Sequence, residues 1–336
     1  MTGPAPSRWQ DPAWLAEFSG WATGELTAHG FQTRGAPEQL HIRPWSTVVR
    51  LATDRGPVWA KAMRPSTAHE ARLLPALARW GVRAIVAPLA VDADRGWMLL
   101  EDGGTTLRQS GDPDPAAWEP VLRTYAEVQR SLESRSDELL ALGVPDGRPA
   151  SLPRTLDALL DADQWWHLVG PAEAAASDAA RERLRELGER IATRATDLDG
   201  TGIAPTLQHD DLHDANVFVQ PAGIRFFDWG DSVVAHPFGS MLTTLGSIAH
   251  RLDMSVDDQR LDRLREVYLE SWTDRLPRAA LAEALELALV LGRIGKAAAW
   301  ARALGGLEPA EMDGQGDASA LWLTDLADAV ERDLDR

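Results

Sequence analysis

Residues Gln208–Gln220 read QHDDLHDANVFVQ. Three aspartates and two histidines fall within residues 209–214, and an asparagine and the β-like run VFV follow directly. Like charges crowded on one short loop repel each other, and a nearby proton or cation is the usual way in which they are neutralised. The stretch therefore predicts a loop that holds something cationic.

The segment after this loop predicts a β-hairpin. VFVQ and IRFF are β-like and are separated by PAG at 221–223, a composition typical of a tight turn. With Ala222 at the centre of the turn, Asn216 lies opposite Asp228, and opposed residues have Cβ atoms about 4.5–5.5 Å apart. Asp211 lies on the loop that leads into the hairpin. Oxygen ligands of this kind suit Mg²⁺, which takes one or two carboxylates together with waters and substrate phosphates.

The spacing of these residues resembles a known motif. His209-x-Asp211-x-x-x-x-Asn216, followed by Asp228-Trp229-Gly230, is similar to the catalytic loop and metal-binding triplet of the protein-kinase-like fold, in the form used by the aminoglycoside phosphotransferase and choline kinase families. The resemblance implies that Asp211 is the catalytic base or orienter of the acceptor hydroxyl, that Asn216 and Asp228 hold Mg²⁺, and that His209 braces the loop. It also implies ATP as the phosphoryl donor and a small-molecule hydroxyl as the acceptor.

Two other interpretations of the loop stay open. HDDLHD is compatible with the metal site of a His/Asp hydrolase, since histidine and carboxylates ligate zinc, although no second His-rich motif supplies the remaining ligands. The loop is also compatible with a solvated acidic turn that merely precedes a hairpin.

Lys61 and Glu70 form a second candidate pair. Lys61 interrupts the apolar strand VWAKAM, and Glu70 begins a helical segment shortly after it. The resemblance implies that they match the strand lysine and helix glutamate that hold the nucleotide phosphates in kinases. Glu70 has an alternative role, because Thr67 and Glu70 have the spacing of a helix capping box.

The other nucleotide contacts are also implied by the resemblance. Residues 44–47, PWST, stand where protein kinases have a glycine-rich loop, and aminoglycoside phosphotransferases similarly use a shorter loop with a serine, here Ser46. WMLLEDGG resembles the hinge, in which backbone groups of Glu101 and Gly103 bind the adenine edge. The same segment is also compatible with an ordinary buried strand that ends in a turn.

The remaining chain predicts an α+β protein with a protein-kinase-like, two-lobed fold. Residues 38–102 alternate β-like runs and turns around one helix at 67–81, which indicates about five antiparallel strands. After Thr105 nearly every segment has helical periodicity. We expect a nucleotide-binding lobe at 1–102 with a leading helix, a hinge at 99–104, and a helical catalytic and acceptor-binding lobe at 105–336.

Composition excludes several classes of protein. The 336-residue chain has a formal net charge of −17, which opposes binding to the phosphate backbone, so no nucleic-acid partner is expected. It contains no cysteine, which excludes disulfides and cysteine nucleophiles. No signal-peptide pattern and no bilayer-spanning apolar run is found, so we expect a cytoplasmic protein without a membrane partner. The sequence does not indicate an oligomeric state.

Two positions depart from the family pattern. Asp210 stands where glycine is common, and it adds a carboxylate beside Asp211. Ser240 stands where the small-molecule kinases usually have an aspartate three residues after a proline. We expect the first departure to affect the charge presented to the substrate, and the second to affect local hydrogen bonding.

Acidic residues around the predicted reaction centre suggest an acceptor. Asp210, Asp214 and Asp231 add negative charge where ATP is already anionic, which is unfavourable unless a metal or a cationic acceptor offsets it. This favours an aminoglycoside or amino sugar, with Asp214 and Asp231 as acceptor contacts. The alternatives are a kinase for a neutral sugar or amino alcohol, and a catalytically silent protein that binds nucleotide or a small ligand. The presence of all the motif residues, Lys61, Asp211, Asn216 and Asp228, argues against a catalytically silent protein.

Overall fold

The computed structural model describes residues 8–111 and 114–334. It divides into two compact units: the first is the chain through Gly104 together with Arg302–Gly316, and the second is Thr105–Ala301 and the chain from Asp317. The segment Arg302–Gly316 falls in the first unit, whereas we predicted it for the carboxy-terminal lobe, and the functional lobe bounds stay a prediction. The first seven residues and the last two of the predicted lobes lie outside the described residues.

The first unit contains the predicted antiparallel sheet. Its elements are α1 (Pro12–Ala28), β1 (Thr33–Ile42), β2 (Ser46–Thr53), β3 (Gly56–Met63), α2 (Glu70–Arg79), β4 (Pro88–Asp92) and β5 (Trp97–Glu101). The strand order is β1-β2-β3-β5-β4, and every neighbouring pair is antiparallel. The prediction of five antiparallel strands is confirmed, although β1 begins five residues earlier than expected and α2 begins at Glu70.

Alternation of side chains builds the core of this unit. Residues along β2 alternate between buried and partly exposed, so that Val49 and Leu51 face the core. Helix α1 adds aromatic side chains: Phe18 is fully buried, with its ring centroid 5.2 Å from that of Trp14 and 5.1 Å from that of Trp97 on β5. Aromatic burial of this size makes α1 part of the core of the first unit.

From Thr105 the chain is mostly helical. The helices are α3 (Leu107–Ser110), α4 (Glu119–Ser131), α5 (Ser136–Ala141), α6 (Leu152–Asp161), α7 (Asp163–Trp166), α8 (Ala174–Glu186), α9 (Gly188–Asp199), α10 (Ser240–Arg251), α11 (Gln259–Glu270), α12 (Arg278–Leu304) and α13 (Ala318–Leu334). Within the described ranges, none of the helices has both the length and the apolar character that crossing a bilayer requires.

Short strands carry the motif in this unit. They are β6 (Asp146–Gly147), β7 (Thr206–Gln208), β8 (Val217–Gln220), β9 (Gly223–Phe226) and β10 (Val233–Ala235). They form a three-stranded sheet, β6-β10-β7, and a hairpin, β8-β9. The loop that holds Asp211 follows β7, and Asp228 follows β9, so the two halves of the motif leave the ends of two different small sheets.

The predicted hairpin register is wrong by one residue. Gln220 pairs with Gly223, which leaves a two-residue turn instead of the expected three, and Val217 pairs with Phe226. The amide N–H of Phe227 donates to the carbonyl of Asn216 at 3.2 Å, so Asn216 lies opposite Phe227 and not opposite Asp228. Gly223 makes the shorter turn possible, since its φ of +125° is a conformation that favours glycine.

Candidate active site

Lys61 and Glu70 form a buried ion pair. Lys61 lies on the central strand β3, and its Nζ is 2.6 Å from Oε2 of Glu70, the first residue of α2. Their side chains are 11% and 1% exposed. The alternative capping box is absent, because the residue before α2 makes no side-chain capping bond and the Thr67 hydroxyl donates to the Arg64 carbonyl. The carboxylate of Glu70 is therefore directed at the lysine.

Ser46 is the first residue of β2 and directly follows the tight connection from β1. The N–H of Ser46 donates to the carbonyl of Arg43 at 3.3 Å, and the N–H of Arg43 donates to the carbonyl of Ser46 at 2.8 Å. The amide of Ser46 is therefore engaged by this turn. The hydroxyl is the group of Ser46 that stays a predicted phosphate contact.

The predicted hinge begins at the end of β5. Glu101 pairs with Val58 on β3, and its side chain is exposed, whereas Gly103 is buried. The carboxylate of Asp102 accepts the N–H of Gly104 at 2.6 Å and the indole N–H of Trp59 at 3.3 Å. These bonds hold the segment in a turn, and the adenine contacts of Glu101 and Gly103 stay a prediction.

His209 joins the two halves of the motif. Its Nε2 lies 2.9 Å from the carbonyl oxygen of Phe227, the residue before Asp228, and its Nδ1 accepts the N–H of Asp211 at 3.3 Å. These partners require the neutral ring with the proton on Nε2. Burial lowers the pKa of His209 and outweighs the opposing effect of the Phe227 carbonyl, so the neutral form is maintained. The imidazole is thus a fixed brace.

A buried polar network supports His209 from behind. The N–H of His209 donates to the hydroxyl of Tyr125 at 2.8 Å, and that hydroxyl is 2.6 Å from Oγ of Ser240. Gln129 links Tyr125 to Tyr268, at 3.3 and 2.6 Å. Burial raises the pKa of Tyr125, which keeps its proton available for this network. Ser240, the second departure from the family pattern, therefore takes part in local hydrogen bonding as expected.

Asp211 and Asn216 are in direct contact. The amide nitrogen of Asn216 donates to the carbonyl of Asp211 at 2.9 Å and to its Oδ2 at 3.2 Å. Nε2 of His213 approaches the same Oδ2 at 3.4 Å, while its Nδ1 accepts the N–H of Ala215. Because both donors converge on one oxygen of Asp211, the carboxylate has a defined orientation.

Asp211 is held in its ionised form. Burial acts to raise the pKa of this carboxyl, but the hydrogen bond from His213 and the positive charge of Lys296 outweigh it and hold the pKa below its ordinary value. The side chain is still 33% exposed, so a ligand can reach it. An ionised, oriented and accessible carboxylate can accept a hydrogen bond from a hydroxyl group.

The arrangement of Asn216 and Asp228 fits a hard cation. Since Nδ2 of Asn216 is directed at Asp211, its Oδ1 is the atom left for a ligand. Asp228 is exposed and has a left-handed backbone, φ +64° and ψ +63°, so its place is set by this bend and not by strand pairing. No group of three or more His, Asp or Glu side chains within residues 8–111 and 114–334 has the geometry of a metal site. Mg²⁺ takes only one or two protein carboxylates, together with waters and substrate phosphates.

Two of the three carboxylates predicted to attract a cationic acceptor have cationic partners of their own. Asp214 is 7% exposed, and its oxygens meet Arg108 at 2.7 Å and Arg251 at 2.8 Å. Asp210 is 4% exposed, and its Oδ2 is 3.9 Å from Nζ of Lys296. These neighbours offset the charges of Asp210 and Asp214 inside the second unit, and the acceptor contact of Asp214 stays a prediction. Asp231 is partly buried in a short 3₁₀ helix, Trp229–Asp231.

The most informative residues that sequence reasoning missed come from distant helices. They are Tyr125, Lys296 and the arginines that bind Asp214, and each is more than 30 positions from the residue that it contacts. One signal was available in the composition. The chain has only two tyrosines, Tyr125 and Tyr268, and both belong to the network behind His209.

The geometry agrees with a family-level comparison. A family model described as the phosphotransferase enzyme family matches residues 42–272, which is more than half of the chain. The chain belongs to this family. The predicted enzyme class, a phosphotransferase, is therefore confirmed. No curated protein sequence matches the chain significantly.

Solved structures of known kinases share the fold. An ethanolamine kinase from Plasmodium vivax is 12% identical with a TM-score of 0.62, over 95% of this chain and 89% of that one. A macrolide 2'-phosphotransferase from Brachybacterium faecium is 18% identical with a TM-score of 0.55, over 91% and 98%. An amicoumacin kinase in complex with AMP-PNP and Ca²⁺ is 12% identical with a TM-score of 0.55, over 95% and 96%. The two-lobed, protein-kinase-like fold is confirmed.

The ion pair of the first unit provides a test of its assignment. Glu70→Ala removes the carboxylate 2.6 Å from the buried ammonium of Lys61 and should destabilise the protein by about 3–5 kcal/mol. The double variant Lys61→Met/Glu70→Met should recover most of that stability, because it leaves no buried charge behind. Chemical denaturation measures both. A loss of only about 1 kcal/mol in Glu70→Ala, the size of a lost helix cap, would contradict the pairing.

Proposed function

We propose that the protein transfers the γ-phosphoryl group of ATP to a hydroxyl group of a small molecule and that it requires Mg²⁺. The observation that carries this proposal is the hydrogen-bonded set of His209, Asp211 and Asn216, in which an accessible carboxylate is ionised, oriented and braced. Family membership supports phosphoryl transfer, and the AMP-PNP and Ca²⁺ bound to the amicoumacin kinase support a nucleotide donor with a divalent cation.

Asp211 is proposed to act on the acceptor hydroxyl. The hydroxyl oxygen forms a bond to the γ-phosphorus as the bond from that phosphorus to the β,γ-bridging oxygen breaks, and ADP leaves. Because the pKa of Asp211 is held below its ordinary value, its carboxylate is a weak base, and its first task is to orient the hydroxyl by accepting its hydrogen bond. The proton passes to Asp211 as the new bond to phosphorus makes the hydroxyl acidic.

Asn216 and Asp228 are the proposed Mg²⁺ ligands. Oδ1 of Asn216 is the free acceptor of an amide whose nitrogen is already bonded, and Asp228 contributes an exposed carboxylate. Bound Mg²⁺ would offset the phosphate charge. We assign nucleotide contacts to the Lys61–Glu70 pair, to the Ser46 hydroxyl, and to the backbone of Glu101 and Gly103, by similarity to the family.

We propose an alcohol that carries an amine as the acceptor, with an aminoglycoside or amino sugar as the first choice. Asp231 is the proposed contact for the amine, and it follows the proposed Mg²⁺ ligand Asp228 by three residues. The fold is also that of an ethanolamine kinase, whose named substrate is an amino alcohol. Asp210 and Asp214 are not part of this proposal.

The role of Asp211 is tested by a substitution that preserves its shape. Asp211→Asn should lower kcat for phosphoryl transfer by about 10²–10⁴-fold, the range for assistance by a general base, because the amide no longer accepts the proton. The affinity for MgATP should change little. Single-turnover kinetics and nucleotide titration measure the two quantities, and an unchanged kcat would exclude Asp211 from the chemistry.

The metal assignment is tested by calorimetry. Asp228→Ala should abolish the Mg²⁺-dependent part of ATP binding and leave the melting temperature nearly unchanged, because the side chain is exposed. Asp253→Ala is a matched control, since Asp253 is also an exposed aspartate in the left-handed region, at φ +49°. Retained tight MgATP binding in Asp228→Ala, or equal losses in both variants, would mean that Asp228 is not a ligand.

The acceptor proposal is tested by salt dependence. Attraction between Asp231 and an amine is screened over about 8 Å at 0.15 M salt, so KM for an aminated acceptor should rise with ionic strength while kcat stays level. Asp231→Asn should flatten that dependence, and a neutral acceptor should show none. If a panel of aminoglycosides and amino sugars gives no turnover while an uncharged sugar does, the amine is not recognised and the role of Asp231 is wrong.

A further inference from the structure

Lysine is rare in this chain, and both lysines are buried. Lys61 and Lys296 are the only two, and the remaining basic residues among the 34 Lys+Arg are arginines. An ammonium group is a compact point charge with three donors, whereas a guanidinium is a planar fork that needs more room. A chain that uses arginine nearly everywhere thus has lysine at two confined positions. Lys61 belongs to the predicted nucleotide site, and Lys296 has no role in the function proposed above.

Lys296 reaches the catalytic loop from helix α12. Its side chain is 8% exposed, and its Nζ donates to the carbonyl oxygen of Asp210 at 2.7 Å. The hydroxyl of Thr243 on α10 donates to the same oxygen at 3.1 Å. On the other side of that peptide bond, the N–H of Asp211 donates to Nδ1 of His209 at 3.3 Å. The Asp210–Asp211 peptide is therefore held at both its carbonyl and its amide.

Asp210 provides the charge that a buried ammonium requires. Its Oδ2 is 3.9 Å from Nζ of Lys296, and its Oδ1 accepts a hydrogen bond from Nε2 of Gln208 at 2.8 Å. The backbone of Asp210 has a φ of +62°, in the left-handed region where a side chain is unfavourable and the family pattern commonly has glycine. An uncompensated buried charge is strongly unfavourable. The need to compensate the charge of Lys296 therefore explains why an aspartate occupies position 210 despite its left-handed backbone.

We propose that Lys296 is a positioning residue for phosphoryl transfer, which holds the Asp210–Asp211 peptide so that the Asp211 carboxylate meets the acceptor hydroxyl, and that Asp210 replaces the usual glycine as its counter-ion. This inference rests on the proposed function of Asp211. The position of the Asp211 carboxylate is thus set by a side chain that does not touch the substrate.

The first variant removes the cation. Lys296→Met should lower kcat by about 10–100-fold, the scale expected when a catalytic group is displaced by about 1 Å, with KM for MgATP unchanged. Arg293→Met is the matched control on α12, since Arg293 binds Asp325 at 2.6 Å and the carbonyl of Leu289. It should leave kcat unchanged.

A second variant separates positioning from stability. Lys296→Met leaves Asp210 buried without this counter-ion and should lower the melting temperature, whereas Lys296→Met/Asp210→Gly removes both charges and restores glycine at the left-handed position. We expect the double variant to regain thermal stability and to keep the reduced kcat. If it regains kcat together with stability, Lys296 is only a structural partner of Asp210 and the proposal is overturned.

Hydrogen exchange distinguishes failure of this inference from failure of the proposed function. Exchange of the Asp211 amide, followed by NMR, should accelerate in both Lys296 variants and not in Arg293→Met, because that amide belongs to the held peptide. Unchanged protection in both variants overturns the positioning role, whatever the activity. If protection falls as expected while the wild-type protein transfers phosphate to no alcohol, the positioning holds and the proposed function fails.

Discussion

The imidazole of His209 is the constraint on which the candidate active site depends. One ring nitrogen faces the carbonyl before Asp228, and the other accepts the N–H of Asp211, so two loops that leave different small sheets are tied through a single side chain. These two contacts require a neutral imidazole ring that has its proton on Nε2. Burial and contact with Trp229, whose ring centroid is 4.7 Å away, keep the imidazole neutral and in position.

Charge compensation is the second principle of the region. The run HDDLHD looks strongly acidic in the sequence, yet Asp210 faces Lys296, and Asp214 is enclosed by two arginines. The charge of Asp211 is the one that stays accessible among these three aspartates. A loop with several internally neutralised carboxylates can thus present a single reactive one, and the net charge of such a segment says little about the charge that a ligand meets.

Local patterns predicted the elements and the motif but not the contacts between distant segments. Hydrophobic periodicity predicted the five strands and helix α2, and motif spacing identified His209, Asp211 and Asn216. Both signals depend only on residues that are close in sequence. The hairpin register was missed because Pro-Ala-Gly is compatible with turns of two or three residues, and a shift of one residue changes every pair. Lys296 and Arg108 are 86 and 106 positions from their partners, a separation that no local pattern encodes.

The scarcity of lysine has a practical consequence for chemical labelling. Reagents that acylate primary amines usually modify many surface lysines and report little about function. Here the side-chain amines belong to Lys61 and Lys296, which are 11% and 8% exposed, and each is engaged by a carboxylate or carbonyl oxygen. Apart from the α-amino group, amine-directed crosslinking or coupling to a surface has no exposed lysine to use. Acylation of a lysine side chain would therefore report that Lys61 or Lys296 has become accessible to the reagent. Mass-spectrometric footprinting of amines would thus detect structural changes at these two buried positions selectively.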